Sequence, residues 1–145
     1  MSINFILVLN RQGKTRLVKW FNNNYTAGEK LRMILEIHRL VGLRDSKPQL
    51  NFVEYQQNKL VYRRYAGLYF ISAIGPYDNE LSYLELLHFF VEILDTYFDN
   101  VCELDLVLNF YKLYVVLDEI YLGGEIHQIS KLRVLDRLTE LEALA

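Results

Sequence analysis

Apolar residues run unbroken over Phe5-Ile6-Leu7-Val8-Leu9 and then, past Asn10-Arg11-Gln12-Gly13, alternate with polar ones as far as Phe21. A short unbroken run predicts a buried strand, and a period of two predicts a second strand. On the second, Arg16, Val18 and Trp20 take one side and Leu17, Lys19 and Phe21 the other. Gln12-Gly13 is then a hairpin tip, with Gly13 supplying an unusual backbone angle. From Thr26 or Gly28 to about Leu43 the period becomes helical. Leu31, Ile34, Leu35, His38 and Val41 form the apolar stripe, while Arg32, Glu36 and Arg39 face away. Three runs rich in β-branched and aromatic residues follow, at 50–55, 59–65 and 68–74. Gln-Gln-Asn and Ala66-Gly67 separate them, which fits an antiparallel meander. Gly75-Pro76 ends the sheet, and Asp78 or Asn79 can cap the next helix.

That helix, 80–98, gathers Glu85, His88, Glu92, Asp95, Thr96 and Asp99 on one narrow arc and is apolar almost everywhere else. Its apolar surface is roughly twice the ~100° stripe of an ordinary surface helix. It is either a central helix wrapped by its own chain or one with the sheet on one side and another protein on the other. The second is favoured, because a small domain has little material to wrap a helix. Segment 103–122 is ambiguous between strand and helix. Gly123-Gly124 after it is a helix stop, so it is taken as helical with a possible break near Asn109. Ser130 caps a last helix, with Val134, Leu135, Leu138 and Leu141 on one face. The expected order is ββ-α-βββ-α-α-α: an α+β fold, a five-stranded antiparallel sheet flanked by helices, in a single domain over 1–145.

A net charge of -2 argues against a general nucleic-acid binder, and no nucleic-acid partner is expected. The single cysteine, Cys102, excludes an internal disulfide framework and is read as a small buried hydrophobe in a reducing compartment. No signal peptide is expected, since the apolar start is short and Asn4 interrupts it. No stretch approaches the roughly 20 apolar residues of a membrane span, so a cytosolic protein is expected. A hydrophobic fraction of 52% with 11 tyrosines is high for one small domain and points to a permanent partner.

Gly13-Lys14-Thr15 has the end of a phosphate-binding loop but not the rest. The position five residues before Gly13 is Val8, and the chain after Thr15 is strand-like where that loop needs a helix. His38, His88 and His127 lack ligand spacing, no metal or other cofactor is implied, and nothing places Cys102 beside a histidine. No catalytic constellation emerges, and an enzyme is not expected.

At YRRYAGLYF (62–70) and NVCELDLVLNFYK (100–112) the chain resembles the small, or sigma, subunit of the clathrin-associated adaptor complexes. NRQGKTRLVKW (10–20), NFVEY (51–55), DNEL (78–81) and GGEI (123–126) match as well, so the resemblance spans nearly the whole chain. NFVEY, YRRYAGLYF and NFYK are similar to the plasma-membrane, endocytic type. RQGK and GGEI lean toward the Golgi and endosomal type, and the endocytic type is favoured. The resemblance implies a longin-like fold held permanently against a large adaptor chain, with another large chain and a medium chain in the same complex. It also implies contact with clathrin and membrane phosphoinositides through that complex, and a peripheral location at clathrin-coated pits. The implied job is binding acidic dileucine signals, [D/E]-x-x-x-L-[L/I], in cargo tails. Residue by residue, the leucine pockets resemble Ala66, Leu68, Val91, Val101 and Leu106, with Asn100 as a polar neighbour. Arg16 would meet the acid of the signal, helped by a basic residue of the large chain. The competing reading is a longin-type module of another trafficking assembly, such as a coat subunit, a tether or an exchange factor.

The residues themselves suit those implied roles. Val91 borders the polar arc, where it can line a groove. Ala66 is small enough for a peptide backbone to approach, and Arg16 is expected to reach freely into solvent. Two buried leucines contribute about 1.5–3 kcal/mol each. An exposed ion pair adds about 0.2–1 kcal/mol. The leucines therefore carry affinity and Arg16 carries register. Binding is expected to be micromolar or weaker, with capture depending on avidity.

Overall fold

The computed structural model describes residues 3–22, 24–43, 51–121 and 131–144. The chain opens with β1 (Ile3–Asn10) and β2 (Thr15–Trp20), then α1 (Ala27–Leu43). β3 (Phe52–Tyr55), β4 (Asn58–Tyr65) and β5 (Leu68–Ile74) follow, then α2 (Glu80–Tyr97), α3 (Glu103–Leu108), α4 (Phe110–Ile120) and α5 (Lys131–Leu144). The strands form one five-stranded sheet in the order β2-β1-β5-β4-β3, every neighbouring pair antiparallel. This is the expected order, with the 103–122 segment divided at Asn109 into α3 and α4. The expected helix stop at Gly123-Gly124 and the cap at Ser130 lie outside the described residues.

Local signals behave as their chemistry requires. Thr26 Oγ1 accepts from Glu29 N–H at 3.1 Å and Glu29 Oε1 accepts from Thr26 N–H at 3.2 Å, a reciprocal capping box that starts α1. Asn79 caps α2, its Oδ1 accepting from the Leu81 N–H at 3.0 Å. Asp78 instead closes the preceding turn by accepting from Gly75 N–H at 2.9 Å.

The sheet separates two cores. Phe5, Leu7, Leu9, Leu60, Tyr62 and Ile71 point to α1, which buries Met33, Ile37 and Val41 against them. The expected α1 stripe is therefore rotated. Leu31 and Leu35 are exposed, and Ile34 and His38 sit at the margin. Between Leu31 and Leu43 the polar residues of α1 are Arg32, Glu36, His38 and Arg39, and the apolar ones are so many that periodicity alone does not choose among them. The pleat of the sheet does.

On the opposite face Ile6, Val8, Leu17, Leu68, Phe70 and Ile74 pack with α2, α4 and α5. The expectation that another protein covers the second side of α2 is corrected here. Tyr83, Leu86, Leu87, Phe90, Val91, Ile93 and Leu94 are all buried within this chain, because α4 and α5 pack against α2 in addition to the sheet. Phe70 and Phe90 meet edge-on across that core with centroids 6.0 Å apart. Lys112 of α4 is buried among these helices, donating to the Tyr97 hydroxyl at 3.1 Å and to Glu142 Oε1 at 3.3 Å.

Candidate functional site

The β1–β2 register slips by one residue. Val8 pairs with Leu17 and Leu9 with Thr15, leaving Arg16 without an opposite number. An extra residue of this kind re-aims its side chain and breaks the alternation. Arg16 thereby joins Leu17 on the face that carries α3. Its Nε and Nη2 both donate to Glu103 Oε2 at 2.5 Å. The expectation that Arg16 reaches freely into solvent is corrected: its side chain is 20% exposed and engaged. The cause is the docking of α3 and α4 along β2. The Tyr114 hydroxyl donates to Val18 O at 2.8 Å, and Lys19 pairs with Asp118.

Asn10 is the third member. Its Oδ1 accepts from the Lys14 N–H at 2.9 Å, tightening the hairpin, and its Nδ2 donates to Glu103 Oε2 at 3.1 Å. The Asn10 amide first, and the Arg16 guanidinium second, hold the Glu103 carboxyl below the usual carboxylate range. Asn10 also lies opposite Leu68 across the β1–β5 ladder, which ties this polar group to the β4–β5 turn.

That turn is Ala66-Gly67, with φ of 53° and 76°. Two left-handed residues in a two-residue loop are what a type I′ hairpin needs, and alanine is an uncommon choice for the first of them. Beside it, the Tyr65 phenol is pushed up chiefly by a hydrogen bond to Asp95. Asp95 is near the end of α2, where its backbone O accepts from the Asn100 N–H at 3.0 Å and its Oδ1 accepts from the Val101 N–H at 3.1 Å. Asp99 and Asn100 are both left-handed, with φ of 53° and 73°, and reverse the chain into α3.

Arg16, Glu103 and Asn10 therefore meet beside Leu68 and the β4–β5 turn, and Asp95 joins Tyr65 of that turn to Asn100 and Val101. Leu68, Val91, Val101 and Leu106 belong to one apolar cluster. Ala66 and Asn100 are exposed above it on the two left-handed turns. Val91 does not line an open groove, as its place on the helical wheel implied. It is 2% exposed, since α4 and α5 pack against α2 in addition to the sheet. Cys102 is also corrected: its thiol is exposed, not buried. It is the extended residue before α3, and Asp105 Oδ2 accepts from its backbone N–H at 2.9 Å.

Asn10, Tyr65, Asp95 and Glu103 complete the corner and escaped the sequence reading. Asp95 carries a recognisable mark, being a short acid one turn before Asp99-Asn100, two residues that tolerate left-handed φ. Glu103 carries none beyond its place in the first turn of a helix.

Gly13-Lys14-Thr15 holds no phosphate-type loop. Gly13 donates to Asn10 O at 3.0 Å within the hairpin. Its φ is +87°, and a Cβ there would come within 2.6 Å of His38 Nδ1. His38 Nε2 lies 2.9 Å from Arg11 O, so it packs under the hairpin. His88 is half-buried, its pKa pushed down by desolvation and then by Arg63. Among the described residues no group of His, Cys, Asp or Glu could hold a metal ion. No helix among them is long and apolar enough to cross a membrane.

The chain is thus a small α+β scaffold with a polar corner over an apolar cluster. Residues 2–145 match the family described as clathrin adaptor complex small chain, and the chain belongs to that family. It is 58% identical over 142 residues to the AP-2 complex subunit sigma of Neurospora crassa, covering 98% of this chain and 99% of the relative. It is 47% identical over 144 residues to the AP-1 complex subunit sigma-2 of Dictyostelium discoideum, covering 99% and 92%. A chain of the homology model of the full-length AP-3 complex in a stretched open conformation superimposes with a TM-score of 0.80 at 28% identity, covering 99% of this chain and 95% of that one.

Proposed function

We propose that this small chain serves the endocytic, AP-2-type adaptor at coated pits of the plasma membrane, and that its polar corner receives acidic dileucine signals of cargo. The endocytic assignment is supported by the AP-2 sigma relative at 58% identity, against 47% for the AP-1 relative. The single observation supporting the signal assignment is the link from Arg16 through Glu103 and Asn10 to Leu68, which shares one apolar core with Val91, Val101 and Leu106. The two leucines take places now closed by those side chains. The turns at Ala66-Gly67 and Asp99-Asn100 are the rim that must give, and the acid of the signal turns toward Arg16. The large adaptor chain covers surplus apolar surface, which lies on α1 at Leu31 and Leu35 and on α3–α4 at Leu104, Leu108 and Phe110. Clathrin and phosphoinositides are reached through the other chains.

The Golgi and endosomal type is the second reading, resting on the AP-1 relative at the lower identity of 47%. Co-purification separates the two, because each names a different large chain. A pull-down of the assembled complex by a dileucine tail, with a dialanine tail as control, tests the site. Retention on the first alone is expected, and equal retention on both refutes the assignment.

A further inference from the structure

The corner already contains a carboxylate on the cation that the signal needs. Glu103 Oε2 receives Arg16 Nε, Arg16 Nη2 and Asn10 Nδ2 together, at 2.5, 2.5 and 3.1 Å. Three donors on one oxygen fix the acid in place, and Lys14 adds an attractive charge from the hairpin. We propose that Glu103 is a specificity-determining residue: an internal counterpart of the signal's acid that occupies Arg16 and limits how strongly the site prefers acidic signals. This rests on the reading of the corner as the signal site.

The reasoning is electrostatic. Arg16 paired at contact distance is close to neutral when seen from a few ångströms away. A second carboxylate approaching the remaining guanidinium donors gains Coulomb attraction to Arg16 and loses much of it to repulsion from Glu103. If it displaces Glu103 instead, one ion pair is exchanged for another. Either route leaves a small net gain, so recognition is dominated by the leucines. The bulge that aims Arg16 at α3 and the Asn10 amide that anchors Glu103 both come from the β1–β2 hairpin. That hairpin therefore sets the acid preference.

The test uses the assembled adaptor complex, with wild-type, Glu103→Gln and Arg16→Gln small chains. Synthetic tail peptides carry either glutamate or glutamine four positions before the first leucine, with a dialanine peptide as control. The readout is the ratio of glutamate-peptide to glutamine-peptide affinity, which cancels any loss of folded protein. Glu103→Gln should raise that ratio about two- to five-fold, the size of one exposed ion pair. Arg16→Gln should lower it below the wild-type value. An unchanged or lowered ratio in Glu103→Gln, with binding still dependent on the leucines, overturns this inference alone and makes Glu103 a residue that merely positions Arg16. Binding indifferent to the leucines overturns the signal-site reading and this inference with it.

Discussion

The two faces of the sheet hold similar amounts of apolar sequence and use it differently. Among the described residues one face is covered by α1, whose inner side is sealed by Met33, Ile37 and Val41 while Leu31 and Leu35 stand in solvent. The other is covered by α2 together with α4 and α5, so that Leu81 is the large apolar residue α2 leaves exposed. The surplus of apolar surface expected from composition is real, but most of it sits on α1 and α3–α4, and α2 adds Leu81. A helix apolar nearly all round is buried when its own chain supplies a second layer, and α2 has that layer.

Substitutions on the two faces should differ accordingly. Val91→Asp places a charge in the sealed core of the α2 face, and it should cost at least about 3 kcal/mol in chemical denaturation besides abolishing dileucine binding. Near-normal stability in that variant would mean the α2 face is more open than described. Gly13→Ala acts at the back of the α1 face, where left-handed φ and the His38 ring both oppose a Cβ. A loss of about 1–3 kcal/mol in thermal or denaturant unfolding is expected. Leu35→Ala, at 60% exposure, should change the stability of the small chain by no more than about 0.5 kcal/mol. The same change should weaken co-purification with the large chain.

The smallest effect lies at the polar corner on the α2 face. Because its native pKa is depressed, Glu103 releases its proton more readily folded than unfolded. Its contribution to stability is complete above the ordinary glutamate range and is lost as pH falls through the lower native value. An NMR titration of the side chain should show that low midpoint, moving upward in Asn10→Ala.

Strand positions, the capped helix starts and the hairpin at Gly13 were legible because each rests on local chemistry: period-two alternation, Thr26 with Glu29, Asn79 before α2. The rotation of α1 was not legible, since Leu31, Ile34 and Leu35 are as apolar as Met33 and Ile37 and only the pleat decides between them. Burial of Val91 and exposure of Cys102 were misjudged for a related reason: both depend on how α3–α5 fold back, which no local pattern records. The site residues were placed by family resemblance. Their assembly depends on a one-residue slip in β1–β2 and on consecutive left-handed residues at 99 and 100, features that alternation and helical wheels pass over. Glu103 remained hidden for the same reason, because its partner Arg16 is 87 residues away in sequence.

The central claim is that the leucine pair of a cargo signal lodges at the corner of Leu68, Val91, Val101 and Leu106. A dileucine peptide with a photo-crosslinking group in place of its second leucine, bound to the assembled complex and mapped by mass spectrometry, reads that location directly. Crosslinks within residues 66–68, at 91 and within 100–106 of this chain are predicted. Crosslinks falling on the α1 face, or wholly on other chains of the complex, would contradict it.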